Sequence, residues 1–254
     1  VQNGLRETRD TRGLVVLDGK LYLPFYYHHQ VRVYDVESGE ELTRWPVIHP
    51  AGMTTNHAGH LLIATERRIA EYSLQGVFLG EVVVNNLGIP EGLAVSPSGN
   101  IYVTDLSLPN TIKAFSPEGQ LVKKFGTGES LQGRVKHNKL YMPFGIDVGK
   151  DGHVYISEWL LERVQKLTPD WKPVWSVQSN YAENCCADRR DPSLIYGLSG
   201  STRNSSVLFE YLLDYETGKW TNQRFWSLPA GHPSWHISGY VVHGSAMVEL
   251  EGHR

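Results

Sequence analysis

The sequence predicts an all-β fold, a β-propeller of about six four-stranded blades, and three observations carry that expectation. First, the segment Ile89-Pro-Glu-Gly-Leu-Ala-Val-Ser-Pro-Ser-Gly-Asn-Ile-Tyr-Val-Thr-Asp105 aligns without a gap on Met142-Pro-Phe-Gly-Ile-Asp-Val-Gly-Lys-Asp-Gly-His-Val-Tyr-Ile-Ser-Glu158. Second, weaker copies recur on both sides at a spacing of roughly 40 to 50 residues, the period of a repeat that cannot bury both its faces alone. Third, the 254 residues include 25 Gly, 13 Pro, 13 Tyr and 7 Trp, a composition of many turns and a pleated, aromatic-rich interior.

Each unit is read the same way. Pro-x-Gly opens a short apolar strand, a turn closes on Gly99 or Gly152, and a second strand carries Tyr102 or Tyr155 and ends on Asp105 or Glu158. Glycine supplies the positive φ that a tight hairpin turn needs, and alternating Ile, Val and Tyr suit a pleated face packed on a neighbouring sheet. Two outer strands follow, Thr111-Ile-Lys-Ala-Phe with Gln120-Leu-Val-Lys-Lys-Phe in one unit, and Arg163-Val-Gln-Lys-Leu with Pro173-Val-Trp-Ser-Val in the other.

The chain is accordingly read as a single domain over 1–254, with blades at 10–45, 46–84, 85–126, 139–178, 181–228 and 229–254. The first contains Gly13 to Phe25 and Val31-Arg-Val-Tyr-Asp. The second contains Pro50-Ala-Gly-Met53, Leu61-Leu-Ile-Ala-Thr65, Ile69-Ala-Glu-Tyr and Gly76-Val-Phe-Leu. The fifth runs from Glu183-Asn-Cys-Cys through Leu194-Ile-Tyr196 and Val207-Leu-Phe-Glu-Tyr to Trp226, with a longer first turn. The sixth, from His232-Pro-Ser-Trp-His236 onward, shows two evident strands, so the chain is expected to be part of a longer polypeptide. The stretch from Thr127 to Leu140, rich in Gly, Lys, Arg and His, is expected to be a surface loop near one mouth of the ring.

A net charge of -3 and a pI near 6.4 provide no field to gather nucleic acid. No run approaches 18 apolar residues, so membrane insertion is not expected. Cys185 and Cys186 are adjacent, leaving either a strained vicinal disulfide or two buried thiols. No Gly-x-Ser-x-Gly elbow, phosphate loop, haem motif or dinucleotide fingerprint occurs.

The motifs Pro-x-Gly-hydrophobic-x-Val and Gly-x-hydrophobic-Tyr-hydrophobic-(Thr/Ser)-acid resemble those of NHL-repeat β-propellers, in the company of the gluconolactonase-like and peptidyl-hydroxyglycine lyase-like proteins. The match is close over blades three and four and loose over the rest. That resemblance implies that the residue between Pro and Gly stands at the mouth of a central channel, with the strand-ending acid near the same face. The mouth would then collect Ala51, Glu91, Phe144, Glu183 or Asn184, and Ser234, backed by Phe25, Thr65, Asp105, Glu158 and Ser199.

Glu91, Glu183 and Asn184 resemble the oxygen donors that gluconolactonase-like propellers offer to calcium, a hard cation that takes six to eight oxygens. Eleven histidines raise zinc as well. His49 and His232 each precede a blade-opening Pro, and His236 follows four residues after His232, so His49, His232, His236, Glu91, Glu183 and Asn184 form the candidate metal set. Glu91, Glu183 and His236 are the catalytic candidates. No cofactor follows from the residues themselves; the resemblance allows calcium or zinc. Against a lyase using channel histidines between Pro and Gly, those positions carry Ala, Glu, Phe and Ser.

Three functions stay open. One is a binding or assembly domain for a protein partner, further domains of the same polypeptide or a small-molecule ligand at the channel mouth, against which stands the lack of an obvious apolar patch in the sequence. Another is a metal-dependent hydrolase or lyase at that mouth. The third is an accessory module to a redox domain. The tandem cysteines and the Asn204-Ser-Ser sequon fit an extracellular or periplasmic setting without requiring one.

Overall fold

The computed structural model describes residues 12–127, 136–158, 163–178, 184–187, 194–202, 205–214 and 219–227. These residues form strands and connections with no helix. Twenty strands make five four-stranded antiparallel sheets, each a meander in chain order. Strands β1 (Val15–Leu17), β2 (Lys20–Phe25), β3 (Gln30–Asp35) and β4 (Glu41–Pro46) form the first. Strands β5 (Pro50–Thr55), β6 (Leu61–Thr65), β7 (Arg68–Tyr72) and β8 (Phe78–Val83) form the second, and β9 (Pro90–Val95), β10 (Ile101–Asp105), β11 (Thr111–Phe115) and β12 (Leu121–Phe125) the third. The fourth contains β13 (Pro143–Val148), β14 (Val154–Glu158), β15 (Arg163–Leu167) and β16 (Pro173–Gln178). The fifth contains β17 (Asn184–Ala187), which includes Cys185 and Cys186, with β18 (Leu194–Thr202), β19 (Ser205–Asp214) and β20 (Lys219–Ser227). The first strands of consecutive sheets contact one another, β5 with β9, β9 with β13 and β13 with β17. The expected β-propeller is therefore present, and the sixth repeat, 229–254, lies outside the described residues.

Strand alternation explains why the second strands read as unbroken apolar runs. Successive side chains leave a strand on opposite faces, and a blade packed on both sides must bury both sets. Leu61 and Ile63 of β6 join Tyr22, Val31, Val33 and Trp45 of the first blade. Leu62 and Ala64 of the same strand join Leu93, Ile101, Val103 and Phe115 of the third. Tyr102 of β10 turns the other way, into a cluster with Ile146, Val154, Ile156 and Trp171 of the fourth. At about 25 cal/mol per Å² of apolar surface, these three interblade layers are the main favourable term of the fold.

The Gly of Pro-x-Gly has a physical reason. A β-carbon on Gly92 would stand 2.4 Å from the Phe144 carbonyl oxygen, so the innermost strands of neighbouring blades meet backbone to backbone. Thr104 reinforces that seam: its hydroxyl accepts from the Gly92 amide at 2.7 Å and donates to the Phe144 carbonyl at 3.4 Å.

The expectation of a surface loop from Thr127 to Leu140 needs correction at its far end. Leu140 is almost fully buried within the interblade cluster of the third and fourth blades. It takes the place that Val47 and Leu87 hold before β5 and β9, three residues ahead of the blade-opening Pro, and composition hides that role because a single leucine follows a polar stretch.

Candidate binding face at the channel mouth

In an antiparallel meander, the turn between the second and third strands and the link into the next blade lie at one end of the sheet. That end is the mouth, where β9 begins at Pro90 and β10 stops at Asp105. The first–second and third–fourth hairpins lie at the opposite end.

The strand-ending acids anchor the mouth. Asp105 is fully buried and accepts the amides of Gly88 and Ile89, both at 2.9 Å, which fixes the link into β9. Ser107 donates its amide and hydroxyl to the same carboxylate, and Lys113 reaches it at 2.5 Å from the neighbouring strand. Burial pushes the Asp105 carboxyl up, but the bonds from Lys113, Ser107 and the two amides win and hold it well below the usual carboxylate range. Glu158 does the same work one blade on. It accepts the Tyr141 amide at 2.7 Å, two bonds from Arg163 at 2.7 and 2.9 Å, and Gln165 Nε2 at 2.6 Å. Here burial dominates over the Arg163 charge and the Glu158 carboxyl titrates above its ordinary value.

Glu91, the candidate ligand of the third blade, is 1% exposed. Its Oε2 accepts from Arg12 Nη1 at 3.1 Å, a contact that reaches past the second blade from the segment that precedes β1. Burial pushes the Glu91 carboxyl up and the Arg12 guanidinium opposes that shift. The guanidinium also lies 3.9 Å over the Tyr26 ring, with Tyr27 at 5.8 Å.

His49 stands in the link before β5, as expected, with its backbone at φ 43. Its ring meets His29 edge-on at 4.3 Å and Tyr26 at 4.9 Å, its amide donates to His29 Nδ1 at 3.2 Å, and Nδ1 lies 3.5 Å from Glu66 Oε1. The structure thus groups His49 with His29, Tyr26 and Glu66, and Glu91 with Arg12. Asn184 opens β17, while Glu183, His232 and His236 lie outside the described residues. Of the described mouth positions, Ala51 and Phe144 offer no side-chain donor, and the Glu91 carboxylate is paired with Arg12. Among the described residues no three His, Cys, Asp or Glu side chains stand close enough to share a metal ion.

The sequence conceals a second property of this face. Tyr27 in the β2–β3 turn is 67% exposed and Leu108 in the β10–β11 turn is 78% exposed. Ile48, Val84 and Ile89 in the links into β5 and β9 are exposed as well. Three successive blades thus place five large apolar side chains at the mouth end, beside exposed His28 and His29. Their spacing follows no strand or helix period, so only the meander shows that they share an end.

Comparison with solved structures supports the same fold. A virginiamycin B lyase from Staphylococcus aureus is similar over 85% of this chain and 70% of its own, with 14% identity and a TM-score of 0.59. A chain of a nidogen/laminin complex is similar over 85% of this chain and 79% of its own, with 16% identity and a TM-score of 0.64. A putative 6-phosphogluconolactonase from Bacteroides uniformis is similar over 85% and 73%, with 14% identity and a TM-score of 0.58. No protein-family model and no curated protein matches the chain by sequence. The class defined is the β-propeller.

Proposed function

We propose that this chain is an NHL-type β-propeller that serves as a binding and assembly domain, presenting its mouth face to a protein partner or to a further domain of the same polypeptide. The observation that carries this reading is the exposed apolar rim of Tyr27, Ile48, Val84, Ile89 and Leu108. Exposed apolar groups clustered on one face mark interaction sites in soluble proteins, and a tyrosine among them suits an anchor that is apolar in body and polar at its tip. The Asp105 network holds the link that bears Ile89 and the start of the turn that bears Leu108, which lowers the ordering cost of binding there. The nidogen/laminin likeness agrees with protein recognition, but lyases share the same fold, so the surface carries the argument.

Site-specific photo-crosslinking tests the reading. With p-benzoylphenylalanine in place of Tyr27 in the full-length native protein, a discrete adduct to a defined partner or to another domain of the polypeptide is expected. The same probe in place of Val77, at the opposite end, should give none. Equal labelling from both positions would sink the proposal. Stoichiometric calcium or zinc in the purified protein, lost in Glu91→Ala, would favour the hydrolase or lyase instead.

A further inference from the structure

At the end of the ring opposite the mouth, the hairpins of the second and third blades enclose a cleft of about 220 Å³. Leu62 and Val82 form one apolar wall, and Ile101 and Pro117 the other. The walls are held at a fixed separation, because a β-carbon on Gly119 would fall 1.7 Å from the Val82 carbonyl oxygen and the two blades already touch there. One charged group faces this apolar space. Glu71 lines the cleft, and its Oε1 accepts from Asn56 Nδ2 and from His60 Nδ1, both at 2.7 Å. Both bonds fall on the same oxygen, and Oε2 has no protein partner among the described residues. The Asn56 side-chain oxygen is itself fixed by the amides of Ala58 and His60, so the carboxylate is oriented from behind.

We propose that this cleft is a binding site for a small organic ammonium ion with an apolar body. An ammonium group at Oε2 makes a charge-assisted hydrogen bond to a carboxylate whose orientation is already set, and the body covers the half-buried Val82 and the exposed Pro117, with Leu62 and Ile101 already buried behind them. Ser98, on the third-blade side, offers a hydroxyl at the polar edge. The volume suits a fragment-sized ligand rather than a drug-sized one. The site is separate from the mouth and does not depend on the function proposed for it.

The probe is 2-phenylethylammonium, titrated into the full chain while backbone amide shifts are followed by NMR. Saturable binding at roughly millimolar concentration is expected, with shifts confined to the amides of 56–58, 62, 71, 82 and 98–101. The neutral isostere 2-phenylethanol should bind about tenfold more weakly or worse. Glu71→Gln retains an acceptor for Asn56 and His60 but removes the charge, and should weaken the ammonium by about tenfold while leaving the alcohol unchanged. Ala58→Trp, which fills the cleft without touching Glu71, should abolish both. The proposal is overturned if the native chain does not bind the ammonium, if alcohol and ammonium bind equally, if Glu71→Gln or folded Ala58→Trp binds as the native chain does, or if the shifts map to the mouth.

Discussion

Gly52 lies so close to the Glu91 carbonyl that a β-carbon there would stand 1.9 Å from the oxygen. The obstacle is backbone, which cannot swing aside as the end of a side chain can. Gly52→Ala is therefore expected to force the innermost strands β5 and β9 apart and to cost about 3 kcal/mol or more, read from denaturant unfolding. A loss below about 1 kcal/mol would mean that the strands are not in contact.

The Arg12–Glu91 pair gives a pH prediction. Burial raises the Glu91 carboxyl pKa and Arg12 restrains the rise. An acid with a raised folded pKa contributes its stability while protonated, below the unfolded value near 4.3, and loses it as pH rises through the folded value. In Arg12→Met nothing offsets the buried charge. The variant should match the native protein near pH 4 and be about 3 kcal/mol less stable at pH 8. Equal thermal midpoints at both pH values would refute the pairing.

Asp105 carries the opposite sign. Its folded pKa is depressed, so its contribution is present above the unfolded value near 3.9 and is lost as pH falls. Asp105→Asn leaves Lys113 without its counter-charge and weakens the bonds to Gly88 and Ile89. A loss of about 3 kcal/mol at pH 7, shrinking below about pH 4, is expected from denaturant titrations at the two pH values. A constant difference across that range would show that the effect is packing and not charge.

The apolar rim should be expendable for folding. Tyr27→Ser combined with Leu108→Ser removes largely exposed side chains, with Tyr27 giving up an edge contact with Tyr26 and a distant one with Arg12, and should change stability by less than about 1 kcal/mol per site while reducing partner crosslinking at the mouth. A fall in thermal midpoint comparable to that of a core truncation would place these residues in a packing role.

The period of the fold was legible because its signals are local. Gly59, Gly99 and Gly152, at φ 77, 88 and 78, mark equivalent hairpin turns, and a glycine is what such a turn selects. The alternation in Ile101 to Asp105 and Val154 to Glu158 reports two buried faces in a few residues. The strand-ending acids were readable by their position at the mouth face, and their partners Lys113 and Arg163 sit nearby, on the next strand of the same blade. The site was much less legible. Glu91 appeared as a bare carboxylate because its cation comes from Arg12, 79 residues away and ahead of the first recognisable strand. Likewise His49 gained its neighbours from the β2–β3 turn, and the cleft around Glu71 from hairpins of two blades, through juxtapositions that no spacing in the chain encodes.

Every strand ladder described joins strands that are consecutive in the chain. The sheets therefore have low contact order and close short loops, so each can form without waiting for a distant partner. Contacts such as Gly52 with Glu91 then link one finished unit to the next, which makes assembly a stepwise propagation in which an error in one blade stays local. The Arg12–Glu91 contact joins the segment before the first unit to the third, so its loop of 79 residues is far longer than any hairpin within a blade and closes at a correspondingly greater entropic cost.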